Sequence, residues 1–506
     1  MPAAKSSLKR AAKPPAKRIV RRSVPRSSTR PIAGRHHERA LFDLYLKSRK
    51  AEFVAVYGRR RIGKTFLIRE HFAEFMCFAF TGIHDASRPL QLKNFAQELA
   101  HWGQIAEPQA SPETWLEAFT QLRQYLTLLG TSRQRVIFID ELPWLASKKS
   151  GFMEALEHFW NTWAAQQPNL IVVVCGSAAS WMIKHLIHNR GGLHNRVTQR
   201  VRLEPFTLAE TREFLTNNRI QLSDKQIVEL YMAMGGVPHY LDQVRPGLSA
   251  AQNIDAICFS KDGLLRDEFE QLFASLYEHH ERHIAIVRSL AARPLGLSRW
   301  DMLAAAELPT GGSATVVLDE LLEAGFITKL EPWGKKKRDT LYRLTDEYSL
   351  FYLQWIEGRR TLGDGTWLKL QSNPGWRAWS GYAFETVCFR HTKQLKRALG
   401  IAGVETFTAS WIHRATDKHD QGAQIDMLID RKDQVINICE MKFAEDEFVI
   451  DKKYAAELRN KLATFRRITQ TRKSLMLTLV STFGLRENEY RHELVANDIK
   501  MEALFL

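Results

Sequence analysis

Val54-Ala55-Val56-Tyr57-Gly58-Arg59-Arg60-Arg61-Ile62-Gly63-Lys64-Thr65-Phe66-Leu67-Ile68 is the stretch from which the rest of the chain is read. A β-branched apolar run predicts a buried strand, Gly58-x-x-x-x-Gly63-Lys64-Thr65 follows it, and an apolar periodicity then suits a helix. Strand, glycine-bounded loop and helix in that order make a phosphate-binding loop. Its glycines let backbone N–H groups turn toward phosphate oxygens, and the helix N-terminus adds positive potential. The candidate nucleotide contacts are Gly58, Arg59, Arg60, Arg61, Ile62, Gly63, Lys64, Thr65 and Phe66. Lys64 would reach the β- and γ-phosphates, and Thr65 would offer its hydroxyl to Mg²⁺.

Alternating strands and helices run on to about residue 205, the pattern of a parallel sheet with crossover helices. Arg135-Val136-Ile137-Phe138-Ile139-Asp140-Glu141 is a second apolar strand that ends in two acids. Ligands of open α/β sheets bind at that carboxyl edge. There Asp140 would hold the Mg²⁺ shell and Glu141 would polarise the attacking water. A third strand, Leu170 to Ser177, ends in small polar residues. Ser177 either senses the γ-phosphate through its hydroxyl or caps the following helix. The Gly-rich basic loop Asn189–Arg196 offers an arginine to the γ-phosphate, in cis or, in a homo-oligomer, in trans. Arg196 is the first candidate and Arg200 the second.

The chain has 506 residues, 45% hydrophobic and 25% charged, which fits several soluble globular domains. No apolar run approaches the ~20 residues that cross a bilayer, and there is no apolar leader, so neither a membrane nor a secretory reading is supported. Five scattered cysteines form no C-x-x-C pair and fit a reducing cytoplasm. Formal charge is +16, yet residues 1–30 hold ten Lys/Arg and no acid, which leaves +6 for the rest. That Pro-, Ala- and Ser-rich tail cannot bury enough surface to fold. It reads as an arm attracted to nucleic acid, with a solubilising tail or an organelle leader as alternatives.

Residues 206–275 read as helices with a sharp turn at Gly235-Gly236-Val237-Pro238. From about 280 to 348, three helical segments precede a hairpin, Phe326–Leu330 and Thr340–Leu344, whose tip is Lys335-Lys336-Lys337-Arg338. Three helices and a basic-tipped hairpin describe a winged helix. Its third helix is poor in base-reading side chains, so the wing either contacts DNA backbone or the domain is a spacer. His279, His280 and His283 lack a zinc-ligand pattern and predict a solvated helix face. A Gly-, Trp- and Asn-rich loop, Gly363–Gly381, then sets off the last domain. There a helical Glu385, Asp426 on one strand, and Glu440 and Lys442 on the next form the constellation of metal-dependent phosphodiester cleavage. The carboxylates would hold the metal, and the lysine would orient its water.

Together these motifs resemble the prokaryotic, archaeal-type P-loop ATPase family of the AAA+/STAND group. Gly34-Arg35-x-x-Glu38 is similar to its motif beside the nucleotide, which implies that Arg35 contacts ATP. Gly58–Thr65 and Phe138–Glu141 resemble Walker A and Walker B, Cys175–Ser177 its sensor strand, and Gly235–Pro238 its helical-lid turn. Glu385, Asp426, Glu440 and Lys442 are similar to the PD-(D/E)xK nuclease pattern. The resemblance implies an α/β chain organised as a basic tail (1–32), a P-loop NTPase parallel sheet (33–205), a helical lid (206–278), a winged helix (279–362) and a C-terminal α/β nuclease-like domain (376–506). It further implies ATP and Mg²⁺ as ligands, and DNA as partner through tail, wing and C-terminal domain.

Overall fold

The computed structural model describes residues 31–104, 110–147, 149–187, 196–334, 339–359, 362–415 and 421–506. The basic tail up to residue 30, Arg190 and the hairpin tip Lys335–Arg338 lie outside them.

The first sheet contains β1 (Glu52–Tyr57), β2 (Met76–Thr81), β3 (Arg135–Asp140), β4 (Leu170–Gly176) and β5 (Gln199–Arg202), all parallel, in the order β2-β3-β4-β1-β5. β3 and β4 are buried along their whole length. Helices cover both faces, so these strands are continuously apolar rather than alternating. Successive residues divide between two cores: Phe53, Ile137 and Val172 meet the helices Arg88–Gly103, Trp115–Leu129 and Phe152–Thr162. Val54, Phe138 and Val173 meet His36–Lys47 and Lys64–His71 on the other side. The register pairs Tyr57 with Gly176 and Ile139 with Val174. Gly58, Asp140 and Ser177 therefore emerge along one carboxyl edge.

Beyond residue 205 come the helices Leu208–Asn217, Asp224–Met234, Pro238–Leu241, Ala250–Cys258 and Glu268–Ala274. Helices His280–Ala291, Arg299–Ala305 and Gly312–Glu323 then accompany a small antiparallel sheet of β6 (Leu297–Ser298), β7 (Ile327–Leu330) and β8 (Leu341–Leu344), ordered β6-β8-β7. Of the three histidines expected on a wet face, His283 is instead buried. Its ring stacks on Tyr277 at 3.8 Å, and Nε2 lies 2.8 Å from Glu320. The last sheet is mixed: β9 (Thr406–His413), β10 (Ala423–Arg431) and β11 (Val435–Lys442) are antiparallel, and β12 (Ser474–Ser481) and β13 (Asn497–Lys500) continue parallel to β11. The β7–β8 hairpin is docked on this sheet. The Trp333 indole donates to Asp430 at 2.9 Å, and its ring lies 5.2 Å from Phe465.

The loop expected at Gly363–Gly381 is instead mostly helical, as Thr366–Leu370 and Pro374–Arg390. Asn373 caps the second helix by accepting from the Gly375 N–H at 3.0 Å, and Pro374 supplies the fixed φ favoured at the first turn. The decisive residues are the tryptophans. Trp355, Trp367, Trp376 and Trp379 form one cluster, with Trp367 and Trp376 edge to face at 5.1 Å. A single apolar core consequently runs from Phe206 through this cluster to Phe505. Trp367 is fully buried, so Trp367→Ala should cost about 3–5 kcal/mol, read as a fall in the thermal unfolding temperature.

The C-terminal part also caps a helix of the middle part. His391 Nε2 accepts the Leu208 N–H at 3.0 Å, while Nδ1 lies 2.8 Å from the Val387 carbonyl, which requires the neutral Nδ1–H tautomer. Burial, opposed by the Val387 bond and aided by the Arg390 charge, pushes His391 down to about 4. The unfolded chain takes up this proton near pH 6.5 and the folded chain only near pH 4. Stability from this residue is therefore complete above pH 6.5 and is lost as pH falls toward 4, by as much as about 3 kcal/mol. Urea midpoints at pH 7 and pH 5 should show the loss, and His391→Gln, which keeps an acceptor and does not titrate, should reduce it.

Candidate functional site

The loop after β1 is shaped by its two glycines. A Cβ on Gly58 would sit 2.3 Å from the Leu203 carbonyl oxygen, and Gly63 has φ +84°, a left-handed conformation that favours glycine. Lys64 opens the next helix and is buried. Its ammonium donates to the carbonyls of Gly58 (2.9 Å) and Arg59 (2.8 Å) and lies 3.4 Å from Ser177 Oγ. Burial lowers its pKa, with Glu141 and Asp140 among the groups that oppose the shift.

Thr65 Oγ1 donates to Asp140 Oδ2 at 2.7 Å. The hydroxyl and the carboxylate assigned to Mg²⁺ thus stand side by side, an oxygen pair of the kind a hard cation takes. Glu141 has φ +49° and follows directly. Its two oxygens accept from Ser177 Oγ at 2.7 Å and from Ser177 N–H at 3.2 Å. That settles the alternative readings of Ser177 in one respect: the following helix has Ala178 at its N-cap and no side-chain cap.

A cleft of about 670 Å³ opens over this edge. Lys64, Thr65, Glu141 and Ser177 line its polar end; Ile32, Ala33, Phe206, Phe214 and Pro238 line its apolar end. Gly63, Arg60, Arg61, Ile62 and Phe66 also border it, as does Arg35. The Arg35 guanidinium lies 4.5 Å over the Phe206 ring and donates to the carbonyls of Glu204 (2.7 Å) and Ile62 (3.1 Å). Arg35 therefore braces the loop from beneath. The Arg35 N–H donates to Glu210, and the preceding Gly34 N–H to Glu213.

Three expected contacts are placed otherwise. Arg59 turns its guanidinium away from the cleft into a buried ion pair with Asp346, because burial demands a counter-charge. Arg196 sits in an exposed turn and is not part of the cleft wall, and Arg200 is exposed on β5 and likewise outside it. The sequence reading missed the apolar wall of Phe206 and Phe214, and His239 and Asp242 beside it. One signal was present: a Cβ on Gly236 would meet the Phe206 carbonyl oxygen at 2.0 Å, so the Gly235-Gly236 turn marks the approach that brings Phe206 in.

Glu385, on the helix Pro374–Arg390, lies close enough to Asp426 and Glu440 of the C-terminal sheet to feel their charges. Burial and the Asp426 charge push Glu385 up to about 8, against Arg343 at 3.7 Å. Glu440 is fully buried, and its pKa too is raised by burial and by Asp426. Both its oxygens bind the Lys461 ammonium, at 2.7 and 2.6 Å, and Tyr454 donates to one at 3.3 Å. Lys442 lies over the Tyr454 ring at 4.7 Å. Among the described residues no three His, Cys, Asp or Glu groups are disposed to hold a metal ion. In this arrangement Lys461 supplies the counter-charge of Glu440, within the set of Glu385, Asp426, Glu440 and Lys442 expected at a metal site.

The family described as an ATPase domain predominantly from Archaea matches residues 36–244, a span that contains the parallel sheet, the loop and most of the cleft wall. An uncharacterised protein of Methanocaldococcus jannaschii is 22% identical over 400 residues, 76% of this chain and 80% of that protein. Among solved structures, the chain is similar to a Walker-type ATPase of Pyrococcus abyssi (17% identity, 64% of this chain and 96% of that one, TM-score 0.47). It is also similar to the ORC2 protein of Aeropyrum pernix in ADPNP–ADP complexes (15% identity, 65% and 95%, TM-score 0.42). Among the described residues no helix is long and apolar enough to cross a membrane.

Proposed function

We propose that this chain is an ATP-binding and ATP-hydrolysing switch whose nucleotide state positions a winged helix and a nuclease-like C-terminal domain on DNA. The observation that carries the reading is the Thr65–Asp140 contact at 2.7 Å, with Lys64 and Glu141 on the same cleft. Thr65 and Asp140 would hold Mg²⁺, which when bound neutralises phosphate charge and fixes the triphosphate. Lys64 exchanges its loop carbonyls for phosphate oxygens. Glu141 is held by Ser177, so it must leave that hydroxyl before it can orient the attacking water. The apolar wall of Phe206, Phe214 and Pro238 suits a purine face.

The three helices and the β6-β8-β7 sheet support a winged helix. Its third helix exposes Ser313, Thr315, Val316 and Asp319, a neutral-to-acidic set without the Arg, Lys, Asn or Gln that most often read base edges. DNA contact is therefore assigned to phosphates, through the basic hairpin tip and the N-terminal tail. Arg196 is proposed as the arginine supplied to a neighbouring copy in a homo-oligomer, and the cytoplasm as the compartment. Steady-state phosphate release, measured with and without DNA, RNA or protein fractions, tests the switch. Turnover that rises with DNA supports it; no turnover under any condition favours a non-hydrolysing scaffold.

The Glu440–Lys461 pair favours a second reading for the C-terminal domain, in which it binds DNA without cutting it. Plasmid incubated with Mg²⁺ or Mn²⁺ should stay intact in both the wild type and Asp426→Ala under that reading. Cleavage by the wild type alone would restore the nuclease.

A further inference from the structure

Arg59 belongs to the phosphate loop by its backbone and to the far half of the chain by its side chain. Its carbonyl accepts from Lys64 at 2.8 Å. Its side chain is 2% exposed, and its guanidinium pairs with Asp346 across 287 residues of sequence and lies 4.9 Å over the Phe326 ring. Arg59 Nε and Nη2 find no hydrogen-bond partner among the described residues, so Asp346 carries the compensation of a fully buried charge. The division of labour on that carboxylate is clear. Oδ2 accepts from the Ser349 N–H (2.9 Å) and Oγ (2.6 Å), capping the helix Glu347–Trp355, and Oδ1 is left for Arg59. Arg61, two residues on, is ion-paired to Glu268, which also accepts from the Tyr240 hydroxyl at 3.1 Å. Two side chains of one phosphate loop are therefore anchored outside the ATPase sheet.

We propose that Asp346 is a positioning residue for the phosphate loop, so that Mg-ATP binding and the docking of the downstream helical body form one coupled equilibrium. The proposal rests on the ATP reading above and deepens it. A loop that closes on phosphate needs the Gly58 and Arg59 carbonyls to release Lys64 without the loop itself shifting. The Arg59–Asp346 pair supplies that fixed point from outside. Coupling is reciprocal: if docking raises nucleotide affinity, nucleotide must tighten docking by the same factor.

The test uses the full chain and the fluorescent nucleotide mant-ATP with Mg²⁺. Asp346→Asn keeps an acceptor for Ser349 and removes the charge that faces Arg59. Its affinity for mant-ATP should fall by about tenfold or more. In the wild type, mant-ATP should slow amide exchange at residues 346–352, which do not border the cleft. The double variant Arg59→Met/Asp346→Asn removes both charges of the pair and keeps the acceptor for Ser349. It should recover thermal stability while losing that nucleotide-dependent protection. Wild-type affinity in Asp346→Asn, or exchange at 346–352 indifferent to mant-ATP in the wild type, overturns the proposal. Should Asp346→Asn fail to fold, the wild-type exchange result decides alone. Lys64→Ala separates the two layers: if it binds mant-ATP normally, the ATP reading falls, whereas normal binding by Asp346→Asn alone removes only the tether.

Discussion

Lys64→Ala should take Mg-ATP binding below detection, the largest effect expected of any single substitution here. The ammonium is the one that the phosphate-loop reading sends to the β- and γ-phosphates, and it lies at the polar end of the cleft beside Glu141. Without it, the arginines on the wall are left to meet the triphosphate from outside the loop. A charge-assisted bond contributes about 1.5–3 kcal/mol. Two such bonds to phosphate, together with the lost neutralisation, amount to a drop of about 10²–10³-fold or more. The fold should survive, because the substitution removes one side chain at the cleft edge and leaves the two sheet cores intact. The measurement is mant-ATP titration beside a thermal melt. Unchanged affinity would remove the central assignment.

Glu141→Gln should separate binding from turnover. The amide oxygen keeps an acceptor for the Ser177 hydroxyl and gives up the one for the Ser177 N–H, while the β3–β4 ladder itself is untouched. It cannot take a proton from an attacking water. General-base removal typically costs about 10²–10⁴-fold in rate. Phosphate release should therefore fall by that factor while mant-ATP affinity stays within about twofold of the wild type, since phosphate contacts come from elsewhere. Retained turnover would move the base to another group.

The carboxyl edge was legible because each of β1, β3 and β4 is a short apolar run ended abruptly by a polar residue. In a parallel sheet those ends must align. Of the C-terminal strands, only the antiparallel pair that carries Asp426 and Glu440 was legible, from two apolar runs joined by a polar turn; Thr406–His413, Ser474–Ser481 and Asn497–Lys500 were not read. What could not be read was direction. Arg59, Arg60 and Arg61 are identical in type, and only carboxylates more than 200 residues downstream separate them: Asp346 takes Arg59 out of the cleft, and Glu268 pairs with Arg61 at its wall. Gly363–Gly381 was misread because its glycines and asparagine outweighed the spacing of Trp376 and Trp379, three apart and therefore on one helical face. His283 was misread because its partner Glu320 comes from another helix. Glu440 was placed correctly on its strand, but Lys461, on the helix Lys452–Thr469, lies outside any short motif.

His391 has a practical corollary for anyone who would excise the ATPase span 36–244 and express it alone. Such a fragment would bare the Leu208 amide, strip Arg59 and Arg61 of their counter-ions, and open the apolar seam that Phe206 shares with the far C-terminus. It should come out of the cell as aggregate or bound to chaperones, whereas a chain carried through residue 506 should not.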